Sequence, residues 1–239
     1  MFRSMRTPVL IALLLVACGG DDDAPAADET DVAEPAAPES PTFALMRGQD
    51  TLLIERFTVE GNRVTGTMRD PTGSAVEYDA TYGTGGAESA MRVTLRAAND
   101  AAPPIIWAFT VRGDSVFAET TRADSTVRSA DTIARGALPY MSPSMGLMSM
   151  VARTARAAVG DSGIVTLLAA SVSQPPMSVA PQVMWRGDTA WVIGDQLNQF
   201  RLTFSNDRLV SAEMPRMQMR AVPVGAASAA APGGAAPQR

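Results

Sequence analysis

The sequence contains no histidine, no lysine and a single cysteine, Cys18. A Ser-His-Asp triad, a Cys-His pair, a Ser-Lys dyad and a Schiff-base lysine each need a residue that is missing, and so does a zinc site built on imidazole or paired thiolates. Proton transfer within the chain is left to carboxylates, tyrosine and arginine. An internal disulfide is impossible, so packing alone must hold the folded part together. No metal or other cofactor is expected from such an inventory.

A long hydrophobic span is missing too. The N-terminal apolar run, Pro8 to Val16, has nine residues, well short of the roughly 20 that a helix needs to cross a bilayer. The formal net charge of −5 belongs largely to one stretch. Eight acids and no base lie between Gly19 and Thr42, and from Phe43 onward 17 acids face 18 arginines. The body is therefore close to neutral, and no basic footprint for nucleic acid exists.

What is present begins with Leu15-Val16-Ala17-Cys18. Arg3 and Arg6 precede the apolar run, and small Ala17 leaves the backbone beside Cys18 open to a peptidase. These residues resemble the lipobox of bacterial lipoproteins, and the resemblance implies a signal peptide over 1–17 and an acylated Cys18. Two or three fatty chains on that cysteine give effectively permanent membrane attachment, since each buried CH₂ contributes about 0.8 kcal/mol. Gly19, standing where an Asp would favour retention, points by the same resemblance to the outer membrane, facing the periplasm of the cell envelope. Arg3 and Arg6 are not adjacent, which leaves a twin-arginine route unsupported.

Residues 18–42, rich in Ala, Pro, Asp and Glu, have little to bury and read as a disordered acidic tether. Asp21-Asp22-Asp23 within it reads as a solvated charge run. From Phe43 the pattern takes period two, the mark of half-buried strands. Val64, Gly66 and Met68 share one face of Arg63–Arg69. Val76, Tyr78, Ala80 and Tyr82 do so in Ser74–Tyr82, Met91, Val93 and Leu95 in the next strand, and Ile105, Trp107, Phe109 and Val111 after that. Turn residues separate them at hairpin distance: Glu60-Gly61-Asn62, Asp70-Pro71-Thr72-Gly73, Gly83-Thr84-Gly85-Gly86 and Arg112-Gly113-Asp114. Arg186-Gly187-Asp188 repeats the last of these, and Arg47-Gly48-Gln49-Asp50 is similar, so the adhesion-like tripeptide reads as a hairpin turn.

One helix interrupts the strands. Ser142 is the expected cap, Pro143 the first residue and Gly160 the end. Met145, Met148, Ala152, Ala155 and Val159 form its apolar stripe, widened by Leu147 and Val151, with Arg153 and Arg156 facing away. Ile164–Val172 is a nearly continuous apolar run followed by a Pro-containing loop. Val183–Arg186 and Thr189–Gly194 make a hairpin, Phe200, Leu202 and Phe204 line a strand, Asn206-Asp207 turns into Arg208–Met214, and Met217 and Met219 mark a last strand. Residues 43–222 thus make a β-rich half-barrel domain, and 223–239 a disordered Ala/Gly/Pro tail.

About ten to twelve antiparallel strands and one helix give the expected fold class: mainly β, an antiparallel meander forming an open or half barrel with one central helix packed on its concave face. The order of the meander through Val111, the helix from Pro143 to Val159 and the closing stretch Phe200–Pro215 resembles the lipoprotein carrier and receptor proteins of the bacterial envelope (LolA/LolB-like) and related periplasmic β-rich proteins. Met141, Met145, Met148 and Met150 lie on or beside the helix, and thioethers adapt to varied apolar surfaces. With Trp107, Phe109, Trp185 and Trp191 on strands, they either fill the core or line a cavity for an apolar or lipid-like ligand. The expected function is a non-catalytic, membrane-anchored binding module, with Met145, Met148, Trp107, Phe109, Trp185 and Trp191 as candidate ligand contacts. A structural or assembly lipoprotein whose outer sheet face meets an envelope protein is the alternative. A carboxylate-based hydrolase using a pair such as Glu55 and Asp79 is a third, for which no spacing singles out the pair.

Overall fold

The computed structural model describes residues 40–83, 88–98, 101–170, 177–194 and 197–225. The expected signal peptide, Cys18, most of the tether, the turn residues 84–86, most of the Pro-containing loop and the tail from 226 lie outside these residues. Among the described residues the strands are β1 (Thr42–Arg47), β2 (Asp50–Glu60), β3 (Arg63–Arg69), β4 (Ala75–Thr81), β5 (Ser89–Arg96), β6 (Ile105–Arg112), β7 (Ser115–Arg122), β8 (Ser125–Thr132) and β9 (Leu138–Met141). The helix α1 (Met145–Val159) follows, then β10 (Ser162–Ile164), β11 (Leu167–Ala170), β12 (Met177–Val179), β13 (Gln182–Arg186), β14 (Thr189–Gly194), β15 (Leu197–Ser205), β16 (Arg208–Met214) and β17 (Met219–Pro223).

Fourteen strands form one antiparallel sheet in the order β10-β13-β14-β15-β16-β17-β1-β2-β3-β4-β5-β6-β7-β8. Its two edges, β10 and β8, do not pair with each other, so the barrel is open. The remaining three strands, β12-β11-β9, make a small second sheet in which β9 and β11 run parallel. Pairing of β1 with β17 joins the beginning of the domain to its end, and the Val224 N–H donates to the Thr42 carbonyl at 2.7 Å. Ser40 and Thr58 share a hydroxyl contact at 2.7 Å, and β1 begins at Thr42, one residue before the expected start of the domain at Phe43. The strand β17 ends at Pro223, one residue beyond its expected end at 222.

Residues directly opposite in an antiparallel ladder point to the same face, so the registers thread the inner face into rows. One row runs Glu55, Met68, Val76, Leu95, Ile105; the next runs Phe57, Gly66, Tyr78, Val93, Trp107, Thr120, Val127; a third runs Val64, Ala80, Met91, Phe109, Ala118, Ser129. Along the third row Val64, Ala80, Met91 and Phe109 are buried, Ala118 is partly buried and Ser129 is exposed. Cover fades toward β8, whose eight residues are all exposed on both faces.

The helix packs on the concave face, against β2, β3, β13 and β14, and beside β9 and β10. Every residue from Met145 to Ala152 is buried, so the sequence expectation of one apolar stripe is too narrow for its first half. The stripe is right for Ala155, whereas Val159 is 39% exposed and Arg153 partly buried. The cap is Ser144, not Ser142, because the Ser144 hydroxyl accepts from Leu147 N–H at 3.1 Å and its carbonyl takes the first helical bond from Met148. Gly160 ends the helix as expected, at φ +75°.

Three further differences have local causes. Ile164–Val172 is not one strand: Val165 N–H bonds Pro181 and Leu138 N–H bonds Thr166, so the chain passes from one sheet to the other between Ile164 and Leu167. Met217 sits in a 3-10 turn, Pro215–Met217, and the last strand starts at Met219. The strand β8 carries no apolar alternation and was not expected; it forms because β7 offers it a ladder over its full length. The three similar turns behave alike, with Gly48, Gly113 and Gly187 at φ +62°, +62° and +57° between paired strands.

Candidate functional site

Two places in the fold have a chemistry of their own: a sealed polar cluster where the helix begins, and an uncovered surface at the end of the long sheet. The cluster centres on Glu55. Alternation in β2 puts this acid on the inner face with Phe57, and its exposure is 0%. Tyr78 and Ser144 donate their hydroxyls to Oε1, each at 2.6 Å. Met145 N–H donates to Oε2 at 2.6 Å and Gly146 N–H to Oε1 at 3.2 Å. With Ser144 serving Leu147, the first donors of the helix are all satisfied, and a carboxylate faces the positive end of the helix dipole.

Burial pushes the Glu55 pKa up, while the donors from Ser144, Tyr78, Met145 and Gly146 pull it down; the net direction is upward. Burial, followed by the Glu55 charge, lifts Tyr78 well above the usual tyrosine range. The neighbours leave no room around this cluster. A Cβ on Gly66 would overlap the Tyr78 ring, and one on Gly146 would overlap the Tyr78 hydroxyl and come within 2.8 Å of Phe57 Cγ. Tyr82, also fully buried, ties the same region together by donating to Pro139 O at 2.9 Å and Leu147 O at 3.2 Å. Glu55 and Asp79, considered as a hydrolytic pair, stand on opposite faces of the sheet, and Asp79 is held by Arg63 at 2.6 Å.

The candidate ligand contacts are not gathered round one cavity. Met145 and Met148 are buried beneath the helix, and Phe109 is buried in the sheet. Trp185 is buried against the other half of the helix: its indole N–H donates to Ala152 O at 3.2 Å, and it packs on Phe204 with ring centroids 5.0 Å apart. Arg156 lies over Trp185 at 4.5 Å and Arg153 over Phe204 at 5.8 Å. Trp191 pairs in register with Met184 and Arg201 on the outer face, where the Arg201 guanidinium covers it at 5.2 Å. Within the expected set, Trp107 keeps a partly open inner position, beside partly buried Val76, Leu95 and Ile105. The expectation of a pocket between helix and sheet lined by all six therefore fails on placement: four fill the interior and Trp191 faces the other way.

The uncovered surface lies on β6, β7 and β8. A recess of about 590 Å³ is bordered there by Ala108, Thr110, Phe117, Glu119, Arg128 and Ala130, among others. Ladder partners Ala108, Glu119 and Arg128 form one outer row, and Thr110, Phe117 and Ala130 the next. Small side chains make its floor, Phe117 is 48% exposed at its side, and Glu119 and Arg128 pair at 2.7 Å. On the inner face of the same arm Val127 is 65% exposed. The sequence does not mark this surface, because its lining is drawn from three strands that only the fold brings together.

Fold and surface together define a β-barrel-like protein: an open antiparallel sheet wrapped on one helix. No protein-family model matches the sequence, and no curated protein matches it. Among solved structures, the β-barrel-like protein of domain of unknown function DUF1849 from Brucella abortus is similar at 9% identity, over 79% of this chain and 98% of that one, with a TM-score of 0.45.

Proposed function

We propose that the protein is a non-catalytic assembly lipoprotein of the bacterial envelope, anchored through acylated Cys18 and meeting a protein partner with the β6–β8 arm of its sheet. The observation that carries the reading is the contrast between a filled interior and an exposed arm. Met145 to Ala152 are all buried, whereas β8 has eight exposed residues and, among the described residues, one edge without a partner strand. An edge of this length needs a partner or a defence, and the exposed Phe117 and Val127 beside it are poor defences. The lipobox resemblance supports the outer membrane, facing the periplasm, as the site of action, and the LolA/LolB-like layout supports the same compartment. A photo-crosslinking residue in place of Phe117, activated in living cells, tests the reading. A discrete crosslinked product is expected; recovery of the uncrosslinked chain alone, at a level equal to the same probe at Trp191, overturns it.

A second reading is favoured by Val76, Leu95, Ile105 and Trp107, which form a partly open apolar strip on the inner face beyond the helix. An acyl chain laid along them gives the apolar-ligand module that the composition suggested, with its contact moved from the helix to Trp107. Lipid that co-purifies with the protein and quenches or shifts Trp107 fluorescence supports it; an unchanged Trp107 signal removes it.

A further inference from the structure

We infer that the outer face of β17, β1, β2 and β3 rests on the anionic surface of the bilayer that holds the anchor, so that the domain keeps one side toward the membrane. This goes beyond the assembly reading above and rests on it for the anchor at Cys18.

The ladder registers build the face in three rows. The middle row runs Arg69, Ile54, Ala44, Val222. On one side of it stand Arg56 and Thr42, then Val224, whose N–H donates to the Thr42 carbonyl at 2.7 Å. On the other side stand Thr51, Met46 and Arg220. Glu55 and Phe43, the neighbours of Ile54 and Ala44 in the chain, are buried on the inner face, so this face is the outer one. Ile54 is 45% and Val224 48% exposed. An apolar centre of Ile54, Val222, Val224 and Met46 is thus ringed by Arg56, Arg69 and Arg220, all exposed.

These three arginines differ from others on the outer side of the sheet. Arg63, Arg96, Arg112, Arg128 and Arg201 are each held by a carboxylate. Among the described residues no ion pair holds Arg56, Arg69 or Arg220. The acids that follow them in the rows or in the chain are engaged: Glu77 by Arg96 at 3.1 Å, Glu213 by Arg201 at 3.4 Å, and Asp70 by Thr72 and Ser74 of its own turn.

Apolar side chains inside a ring of cations match a surface that carries negative headgroups over an acyl boundary. The isoleucine and valines enter that boundary, and the arginine stems lie along it while their guanidiniums meet phosphate. The anchor selects a bilayer over other anionic partners. The chain that carries Cys18 enters the fold at Thr42, within this face. Thr42 is 24 positions beyond Cys18, so even full extension keeps the face within about 85 Å of the lipid. Attachment makes the contact effectively intramolecular, and one too weak to hold by itself becomes populated. For the same reason Cys18→Ser still washes off the membrane.

Vesicles test the face without the anchor. The chain left by cleavage before residue 18, with Cys18→Ser and hence no lipid, is sedimented at low salt with vesicles of phosphatidylcholine, alone or mixed equally with phosphatidylglycerol. Binding is expected on the mixed vesicles and is expected to fall as salt rises. Each arginine at an anionic surface contributes roughly fivefold, so Arg56→Gln, Arg69→Gln and Arg220→Gln together are expected to weaken binding on the order of a hundredfold. Arg92→Gln, Arg135→Gln and Arg186→Gln, exposed positions off this face, are together expected to weaken it several-fold at most. An environment-sensitive dye on Ile54→Cys is expected to shift to the blue on mixed vesicles, and the same dye on Phe117→Cys is not. No binding to mixed vesicles, equal loss from the two triple variants, or an unshifted dye at residue 54 overturns the inference. A photo-crosslinker at residue 54 that captures a discrete protein in cells also overturns it, by giving the face to a protein. The assayed chain carries no lipid, so its failure leaves the anchor standing; failure of the anchor shows separately, as unchanged fractionation of Cys18→Ser.

Discussion

Ser144 donates its hydroxyl to Glu55 Oε1 at 2.6 Å across 89 positions of sequence, and this bond fixes where the helix begins on the sheet. Removing the carboxylate leaves two hydroxyls and two backbone N–H groups buried without an acceptor. Each such group costs about 1 to 3 kcal/mol. Glu55→Ala is therefore expected to lose about 3 kcal/mol or more, read as a lower urea midpoint, and Glu55→Gln less because one oxygen remains. A midpoint for Glu55→Ala within error of the parent would contradict this arrangement.

The same residue gives a pH dependence with a definite sign. Its folded pKa is raised, first by burial, so the folded state holds the proton more tightly than the unfolded chain. The Glu55 contribution is then fully present below the unfolded chain's ordinary value of about 4.5, and is lost as pH rises through the folded pKa. Glu55→Gln has no such titration. The parent's stability minus that of Glu55→Gln is expected to shrink as pH rises across this window; a difference that grows instead would reverse the assigned direction.

Gly146 offers a test in which two rules oppose each other. Gly to Ala inside a helix ordinarily stabilises, by about 1 kcal/mol. Here the added methyl meets Tyr78 and Phe57, and overpacking costs about 1 to 3 kcal/mol. Gly146→Ala and Gly66→Ala are both expected to lower the thermal midpoint. Stabilisation by Gly146→Ala would mean that space exists beneath the helix.

The chain has three tryptophans, and each reports on a different environment. Single-tryptophan variants are expected to show Trp185, 8% exposed, as the least accessible to acrylamide. Trp107 and Trp191, both partly exposed, should quench more readily. Equal quenching of all three would contradict the packing of Trp185 on Ala152 and Phe204.

Attachment is tested separately. Cys18→Ser is expected to move the protein from the membrane to the soluble fraction and to abolish fatty-acid labelling. Unchanged fractionation would remove the anchor from the account.

Much of this fold was legible because its signals are local. Period-two alternation marked the inner faces of β3 to β6, and glycine at the tips of hairpins marked their turns. The helix's end at Gly160 follows from one residue's conformational freedom. Its beginning did not follow, because the deciding acceptor, Glu55, lies on another strand; an acid between Leu53 and Phe57 on an apolar face was the available sign. Local capping rules point to Ser142, just before Pro143, because they cannot see that acceptor. β8 escaped notice since a polar strand with both faces wet has no alternation to read. Trp191 lies six positions after Trp185, an even offset that would keep one face in an unbroken strand; the hairpin register pairs Trp185 with Ala190 instead, which puts Trp191 on the outer face. The recess at Phe117 depends on small residues of three strands coming together, which composition does not record.

The central claim is that the helix is sealed onto the sheet and that binding happens elsewhere. Amide hydrogen exchange of the full chain tests it most directly. The account predicts that the N–H groups from Met148 to Ala155 exchange among the slowest in the molecule, at a rate unchanged by added phospholipid. Fast exchange in that segment, slowed when lipid is supplied, would contradict it.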